Sequence, residues 1–271
     1  MIPEISPSSY FGFLVKPILF ALILLSMQMP WAVEQGWAAA DSSESRELPF
    51  KPGEIFVYDL SWGVIPAGQA ELRVLPMAEV NGIPAWHFQL LIKSNDFIDA
   101  FYKVRDRIDA YAALSLKESL LYRQSQREGT TRREVEVKFD PVSSHAVFAN
   151  FGDAMSPIDI AAGTLDPLTA LYFIRSQPLS ESLEIARPIT DGKRNVKGVV
   201  RVMKREEIRL NDKLYDTFQI EPDLRGVRGV FEKSKKSRMT LWVTADEKRM
   251  VVKISSKVVI GSFVGILVEH S

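Results

Sequence analysis

From Glu54 the chain alternates. Ile55, Val57, Asp59 and Ser61 fall on one side and Phe56, Tyr58, Leu60 and Trp62 on the other, the period of two that a half-buried β-strand imposes, with its aromatic side toward a core. Pro66-Ala67-Gly68 predicts a break, Ala70, Leu72 and Val74 resume the run, and Asn81-Gly82 predicts a tight hairpin into a third strand over 85–93. Further strands are predicted over 105–112, 120–127, 132–139 and 145–151, then over 195–209, 214–221, 238–244, 250–257 and 263–269. Asp140-Pro141, Asp191-Gly192-Lys193 and Asn211-Asp212-Lys213 supply the turn chemistry between them. Phe97, Ile98, Phe101 and Tyr102 have helical spacing between strand-like flanks and predict a single helical turn. Pro178 and Pro188 bracket a partly apolar stretch that predicts no element.

One segment departs from the strand pattern. Gly163 to Arg175 reads Gly-Thr-Leu-Asp-Pro-Leu-Thr-Ala-Leu-Tyr-Phe-Ile-Arg. Asp166 can accept hydrogen bonds from the orphan amides of a first helical turn, and Pro167 suits the first helical position, where the missing N–H costs nothing. Leu168, Leu171 and Tyr172 then lie on one face, an apolar stripe that a sheet can accept. Burying each such side chain stabilises by about 1.5–3 kcal/mol. The helix is expected to act as a plug or lid.

About ten to twelve strands at hairpin spacing with one helix predict a mostly β fold. The expected architecture is a single curled antiparallel sheet, or open β-barrel-like domain, with one short central helix packed on it. No long linker divides residues 48–271, so a single domain is expected there. Residues 1–40 read instead as a cleaved signal peptide: Lys16 precedes an apolar run from Ile18 to Met27, and Ala38-Ala39-Ala40 offers a cleavage signal before Asp41. The alternative is an uncleaved inner-membrane anchor, because Phe11 to Val15 lengthens the apolar run. Residues 41–47, Asp-Ser-Ser-Glu-Ser-Arg-Glu, form a flexible lead.

Composition narrows the chemistry. The 271 residues include no cysteine, which removes disulfides, thiolate nucleophiles and cysteine-ligated zinc. Lysine plus arginine and aspartate plus glutamate both total 34, so no basic field marks a nucleic-acid partner. Without residues 1–40 the balance is 33 basic against 32 acidic residues, and that conclusion is unchanged.

Several landmarks resemble those of a family of secreted or periplasmic bacterial proteins, domain of unknown function 3108. They are Pro52-Gly53-Glu54 followed by Tyr58 and Trp62, Phe101-Tyr102-Lys103-Val104 with Asp106, Phe139-Asp140, Asp166-Pro167-Leu168 running to Tyr172 and Arg175, and Leu241-Trp242-Val243-Thr244 with Asp246. The resemblance covers nearly the whole chain after the leader. It implies a Gram-negative envelope location and supplies no chemistry.

No phosphate loop, dinucleotide fingerprint, nucleophile elbow or zinc-protease helix is present, so no cofactor is implied and no catalytic residue is assigned. His87, His145 and His270 lack metal-ligand spacing and read as strand side chains, leaving no metal site. Asp106, Asp109, Asp153 and Asp159 would have to stand about 5–10 Å apart in pairs across a groove to hydrolyse a glycan. The basic stretch Arg225, Arg228, Lys233, Lys235 and Lys236 is a candidate anion or partner site, suited to a membrane surface or an envelope protein. Trp62, Phe101, Tyr102, Leu168, Leu171, Tyr172 and Trp242 are candidates to line a pocket for a lipid or other apolar ligand, because a curled sheet with an apolar concave side makes such a pocket. The expected function is therefore noncatalytic binding of a hydrophobic or amphiphilic ligand or envelope component in the periplasm. The alternatives are a structural or adaptor protein of envelope assembly with a filled core and, further off, a glycan-active hydrolase.

Overall fold

A computed structural model describes residues 47–223, 238–257 and 262–271. The expected leader, all of the lead but Glu47, and the basic stretch Arg225, Arg228, Lys233, Lys235 and Lys236 lie outside the described residues. In chain order the elements are β1 (Ile55–Trp62), β2 (Ile65–Val80), β3 (Ile83–Ser94), α1 (Asp96–Tyr102), β4 (Arg105–Ala113), β5 (Ser119–Glu128), β6 (Thr131–Asp140), β7 (His145–Asn150), β8 (Asp153–Ala154), β9 (Ile158–Asp159), α2 (Pro167–Arg175), β10 (Glu184–Thr190), β11 (Asn195–Leu210), β12 (Lys213–Pro222), β13 (Arg238–Thr244), β14 (Val251–Lys257) and β15 (Ser262–His270).

The fifteen strands form one antiparallel sheet in the order β10-β11-β12-β13-β14-β15-β1-β2-β3-β4-β5-β6-β7-β8, with β9 pairing β7. The first strand lies between the second and the last, so the first and last strands pair in mid-sheet: Tyr58 faces Ala70 on one side and Leu267 on the other. The sheet's edges are β10 and the short β8 and β9, and the chain passes between them through α2. Two residues ahead of that helix bridge the gap. The Thr164 carbonyl accepts from Ser119 N–H at 3.1 Å, while Leu165 donates to the Pro188 carbonyl at 2.9 Å and accepts from Thr190 N–H at 3.0 Å. This strap ties β5 to β10 and holds the sheet in a curl.

Period two decides which side chains enter the curl. Phe56 and Tyr58 of β1, Ala70, Leu72 and Val74 of β2, Phe88, Leu90 and Ile92 of β3, and Ile108 and Ala110 of β4 are all buried in one core. The mostly β architecture, the curled sheet and the central helix agree with the expectation. Three details differ. Pro66-Ala67-Gly68 does not end a strand; it is a bulge within β2, where the register shifts opposite Leu60 and Ser61. Gly68 is required there because a Cβ would sit 2.1 Å from the Lys93 carbonyl oxygen. The stretch around Pro188 is a strand, β10, and Pro188 is tolerated because β10 is an edge. The strand count rises further through β8 and β9, whose two residues each are too short to show a period.

The helix start is as read. Asp166 caps α2, and its Oδ1 accepts from the N–H groups of Leu168 and Thr169 at 2.9 Å each. The helix is less amphipathic than expected: Leu168, Thr169, Leu171, Tyr172, Phe173 and Arg175 are all buried, so it runs inside the curl as a plug with almost no solvent face.

Candidate functional site

The plug is fixed at both ends by buried polar groups. At its start, Asp166 Oδ2 accepts from Ser119 Oγ and from Thr169 Oγ1, both at 2.6 Å. Burial pushes the Asp166 carboxyl up from its ordinary value, and these hydrogen bonds oppose that. At its end, the fully buried Arg175 meets Glu54 through two bonds, Nη1 to Oε1 at 2.6 Å and Nη2 to Oε2 at 2.9 Å. Its Nε donates to the Arg249 carbonyl at 2.9 Å, and its Nη2 to the Lys248 and Pro49 carbonyls at 3.2 and 3.4 Å. The rings of Phe50, Phe56 and Tyr172 surround the guanidinium at 4.9–5.2 Å. Burial lowers the Arg175 pKa, but the Glu54 carboxylate outweighs it and the net shift is upward, so the guanidinium stays charged. Tyr172 stacks on Phe88 with ring centroids 3.7 Å apart, and Phe50 meets both rings edge-on. This end of the interior is filled.

The other end is not. Beside Leu171, an apolar cavity of about 80 Å³ is walled by Tyr58 and Leu60 of β1, Ala70 and Leu72 of β2, and Leu90 and Ile92 of β3. Met239 and Leu241 of β13, Ile254 and Ser256 of β14, and Phe263, Val264 and Gly265 of β15 complete the wall. Among the described residues, the polar side chains on it are those of Tyr58, whose hydroxyl donates to the Val251 carbonyl at 2.8 Å, and Ser256. Such a wall offers dispersion and exclusion of water, with nothing to polarise a substrate. Trp62 stacks on Phe263, ring centroids 6.4 Å apart, one side chain beyond the cavity toward the sheet's end.

Of the seven side chains expected to line a pocket, Leu171 lines this cavity and the other six do not. Leu168 and Tyr172 are packed in the filled half. Trp242 points away from the interior: its Nε1 donates to Glu206 Oε1 at 3.0 Å and Lys253 Nζ lies 4.6 Å from its ring. Phe101 is 58% exposed and meets Phe97 edge-on. Tyr102 is buried, but toward a polar pair. The aliphatic wall on β1–β3 and β13–β15 was visible in the sequence only as a core face, because alternation marks which side chains point inward and not whether they meet.

That polar pair, absent from the sequence reading as a pair, is Asp106 with Glu128. Both are almost fully buried on the inner face of β4 and β5 and lie close enough to interact. Asp106 Oδ1 also accepts from Arg127 N–H at 2.6 Å. Burial, then the neighbouring Glu128, pushes the Asp106 pKa up to about 7 against the Arg127 hydrogen bond. The Tyr102 hydroxyl beside them is pushed up to about 12, first by burial and then by the two acids. Asp109 lies on the opposite face of β4, since it is three positions, an odd number, beyond Asp106. There burial raises its pKa, but bonds from His87 at 2.8 Å, Arg107 at 2.5 Å and Gln89 at 2.9 Å outweigh this and hold the carboxyl well below the usual range. Asp153 and Asp159 are exposed, and Asp159 meets His145 at 3.2 Å. The four aspartates considered for hydrolysis thus do not converge on a groove. Among the described residues, no group of three or more histidine, aspartate or glutamate side chains is placed to hold a metal ion.

A curled antiparallel sheet enclosing a helix and an aliphatic cavity defines a β-barrel-like protein. The chain belongs to the family described as protein of unknown function (DUF3108), whose profile matches residues 57–268. Among solved structures it is similar to the β-barrel-like protein of domain of unknown function DUF1849 from Brucella abortus, with a TM-score of 0.51 and 11% identity over 80% of this chain and 96% of that one. That likeness is one of fold. A structure described as "a putative lipoprotein" from Parabacteroides distasonis matches with a TM-score of 0.33 and 12% identity over 83% of this chain and 97% of that one. No curated protein matches. No helix among the described residues is long and apolar enough to cross a membrane.

Proposed function

We propose that this protein is a noncatalytic carrier or sensor in the bacterial envelope that binds one chain of a hydrophobic or amphiphilic molecule inside its curled sheet. The observation that supports this reading is the cavity beside Leu171, whose wall is aliphatic and aromatic apart from Tyr58 and Ser256. At about 80 Å³ it is smaller than the roughly 150 Å³ engineered cavity that stays dry and takes benzene. It therefore suits the end of a linear chain, with the remainder passing toward Trp62. The leader pattern at residues 1–40 supports a periplasmic location.

The test is native mass spectrometry of the protein purified from its own envelope, followed by solvent extraction. A stoichiometric apolar molecule is expected, and it should be lost from Ala70→Phe, which places a ring in the cavity. A mass that stays ligand-free after incubation with envelope lipids would sink the carrier reading. It would favour an adaptor, for which the filled half of the interior around Tyr172, Phe88 and Arg175 is the supporting observation.

A further inference from the structure

The seven-residue α1 is apolar on two sides. Ile98 and Tyr102 face the core, as expected of a helix on a sheet. Phe97 and Phe101, one turn apart on the outer face, are 60% and 58% exposed, and their rings meet at 5.7 Å. A water-facing surface that needs only solubility would carry charge there. The helix is also held firmly in place. Asn95 caps it by accepting from Ile98 N–H at 2.9 Å, and reaches back to the start of β2, next to the β1–β2 turn, through its Nδ2 to the Pro66 carbonyl at 2.8 Å. At the other end, Gly129 N–H of the β5–β6 turn donates to the Lys103 carbonyl at 2.8 Å, and Gly129 packs so closely on the Tyr102 ring that a Cβ would stand 2.6 Å from it.

These contacts bring two further groups to the same end of the sheet. The β1–β2 turn adds Val64, 96% exposed, and Ile65 beside it. The apolar patch is ringed by exposed cations: Lys93 at the end of β3, Lys103 after α1, and Arg127 and Arg132 facing each other across β5 and β6. Asp99 is spent on Arg105, with bonds of 2.6 and 3.1 Å, and Asp106 and Glu128 are buried below, which leaves Asp96 as the exposed carboxylate of the helix. Greasy side chains projecting from a fixed support inside a basic ring match the interface of an anionic bilayer, where aromatic groups enter the headgroup layer and lysine and arginine meet phosphates. The cavity wall reaches toward this same end as far as Phe263, which stacks on Trp62.

We infer that Val64, Ile65, Phe97 and Phe101 form a docking surface for an anionic lipid membrane, the place where the ligand of the proposed carrier enters or leaves. The entry role rests on the carrier reading; the docking itself does not.

The chain has no cysteine, so Phe97→Cys provides a single attachment point for an environment-sensitive fluorophore on the full-length protein. Val142→Cys, in the 97% exposed β6–β7 turn at the other end of the sheet, is the control. With phosphatidylglycerol-containing vesicles the label at 97 should shift to the blue and brighten, while the label at 142 stays unchanged even if residues 1–40 tether the chain. Substituting Arg127 and Arg132 together by serine should weaken the response about 25-fold, about fivefold for each basic residue removed. An unchanged label at 97, equal responses at 97 and 142, or an equal response to purely zwitterionic vesicles would each overturn the inference. Extraction of a bound apolar molecule is a separate measurement, so docking can fail while the carrier reading stands, and the reverse.

Discussion

Replacing Arg175 by methionine should destabilise the protein by about 3–5 kcal/mol, the cost of leaving one member of a buried ion pair without its partner. The magnitude follows from what remains. The Glu54 carboxylate, 12% exposed, loses both of its guanidinium bonds, and the Pro49, Lys248 and Arg249 carbonyls lose a shared donor. Methionine fills much of the volume but restores none of these contacts. Against a total stability of about 5–15 kcal/mol, such a loss is a large fraction. Glu54→Gln should cost less, because Arg175 keeps its three carbonyl acceptors and its three aromatic neighbours. The double variant should be more stable than Arg175→Met alone, since the orphaned charge is gone.

Urea denaturation followed by tryptophan fluorescence and far-ultraviolet circular dichroism would give the four stabilities of this cycle. The expected coupling between the two sites exceeds about 1 kcal/mol, beyond the 0.3–0.5 kcal/mol within which independent sites add. A second readout is local: Arg175 ties the segment before β1 to the plug through Pro49, Phe50 and Glu54, so cleavage after the buried Phe50 by chymotrypsin should quicken in Arg175→Met under native conditions. Additive costs, or a loss below about 1 kcal/mol for Arg175→Met, would refute the view that this pair anchors the plug.

Three other outcomes are expected. The folded-state pKa of Asp106, about 7, lies above the unfolded value of about 3.9, so the folded protein binds the proton more tightly and stability falls as pH rises from about 4 to about 7. Asp106→Asn should flatten that slope and leave the protein more stable than the parent above pH 7, by up to about 4 kcal/mol at 1.36 kcal/mol per pKa unit; parallel pH profiles would count against the buried acid pair. Asp166→Ala removes a helix cap and two hydroxyl partners and should cost about 2–4 kcal/mol in the same urea assay, whereas a loss under 1 kcal/mol would deny the cap its role. Leu171→Ala should cost about 2–5 kcal/mol and enlarge the cavity. The melting temperature of that variant should then rise when benzene is added while the parent's does not, and equal responses would place the empty space elsewhere.

The strands were legible wherever one face is wet. In β1, β6 and β15 the inward side chains alternate with polar or half-exposed ones, and their predicted limits fall within two residues of those found. β10 escaped because its side chains Glu184-Ile-Ala-Arg-Pro-Ile-Thr190 are mostly half-buried on both faces at a sheet edge, which erases alternation. Asp166 and Pro167 announced the helix from local chemistry alone, but its burial all round depends on β10 and the Thr164-Leu165 strap, contacts between residues far apart in the chain. The Asp106–Glu128 pair was hidden for the same reason: 22 positions separate the two acids, and only the antiparallel pairing of β4 with β5 puts both on the inner face.

Several of the residues that carry the resemblance to the family turn out to be occupied with architecture. Glu54 and Arg175 anchor the plug, Asp166 caps it, and the Tyr58 hydroxyl reaches from β1 to the Val251 carbonyl of β14. Thr244 Oγ1 donates to Asp246 Oδ1 at 2.6 Å and accepts from Met250 N–H at 2.9 Å, which shapes the turn between β13 and β14. Each of these interactions is directional and depends on one side-chain type, so each leaves a readable mark in a sequence. The cavity is built from the opposite kind of contact. Leu60, Leu72, Leu90, Ile92, Leu241 and Ile254 act through volume and dispersion, and aliphatic residues of similar size can replace one another at about 1.5 kcal/mol or less each. A protein that recognises an apolar ligand by shape therefore shows its scaffold in motifs and its site only in the absence of a few atoms from a core. Volume, altered by Ala70→Phe or Leu171→Ala, is accordingly the variable that distinguishes a binding interior from one that is merely stable.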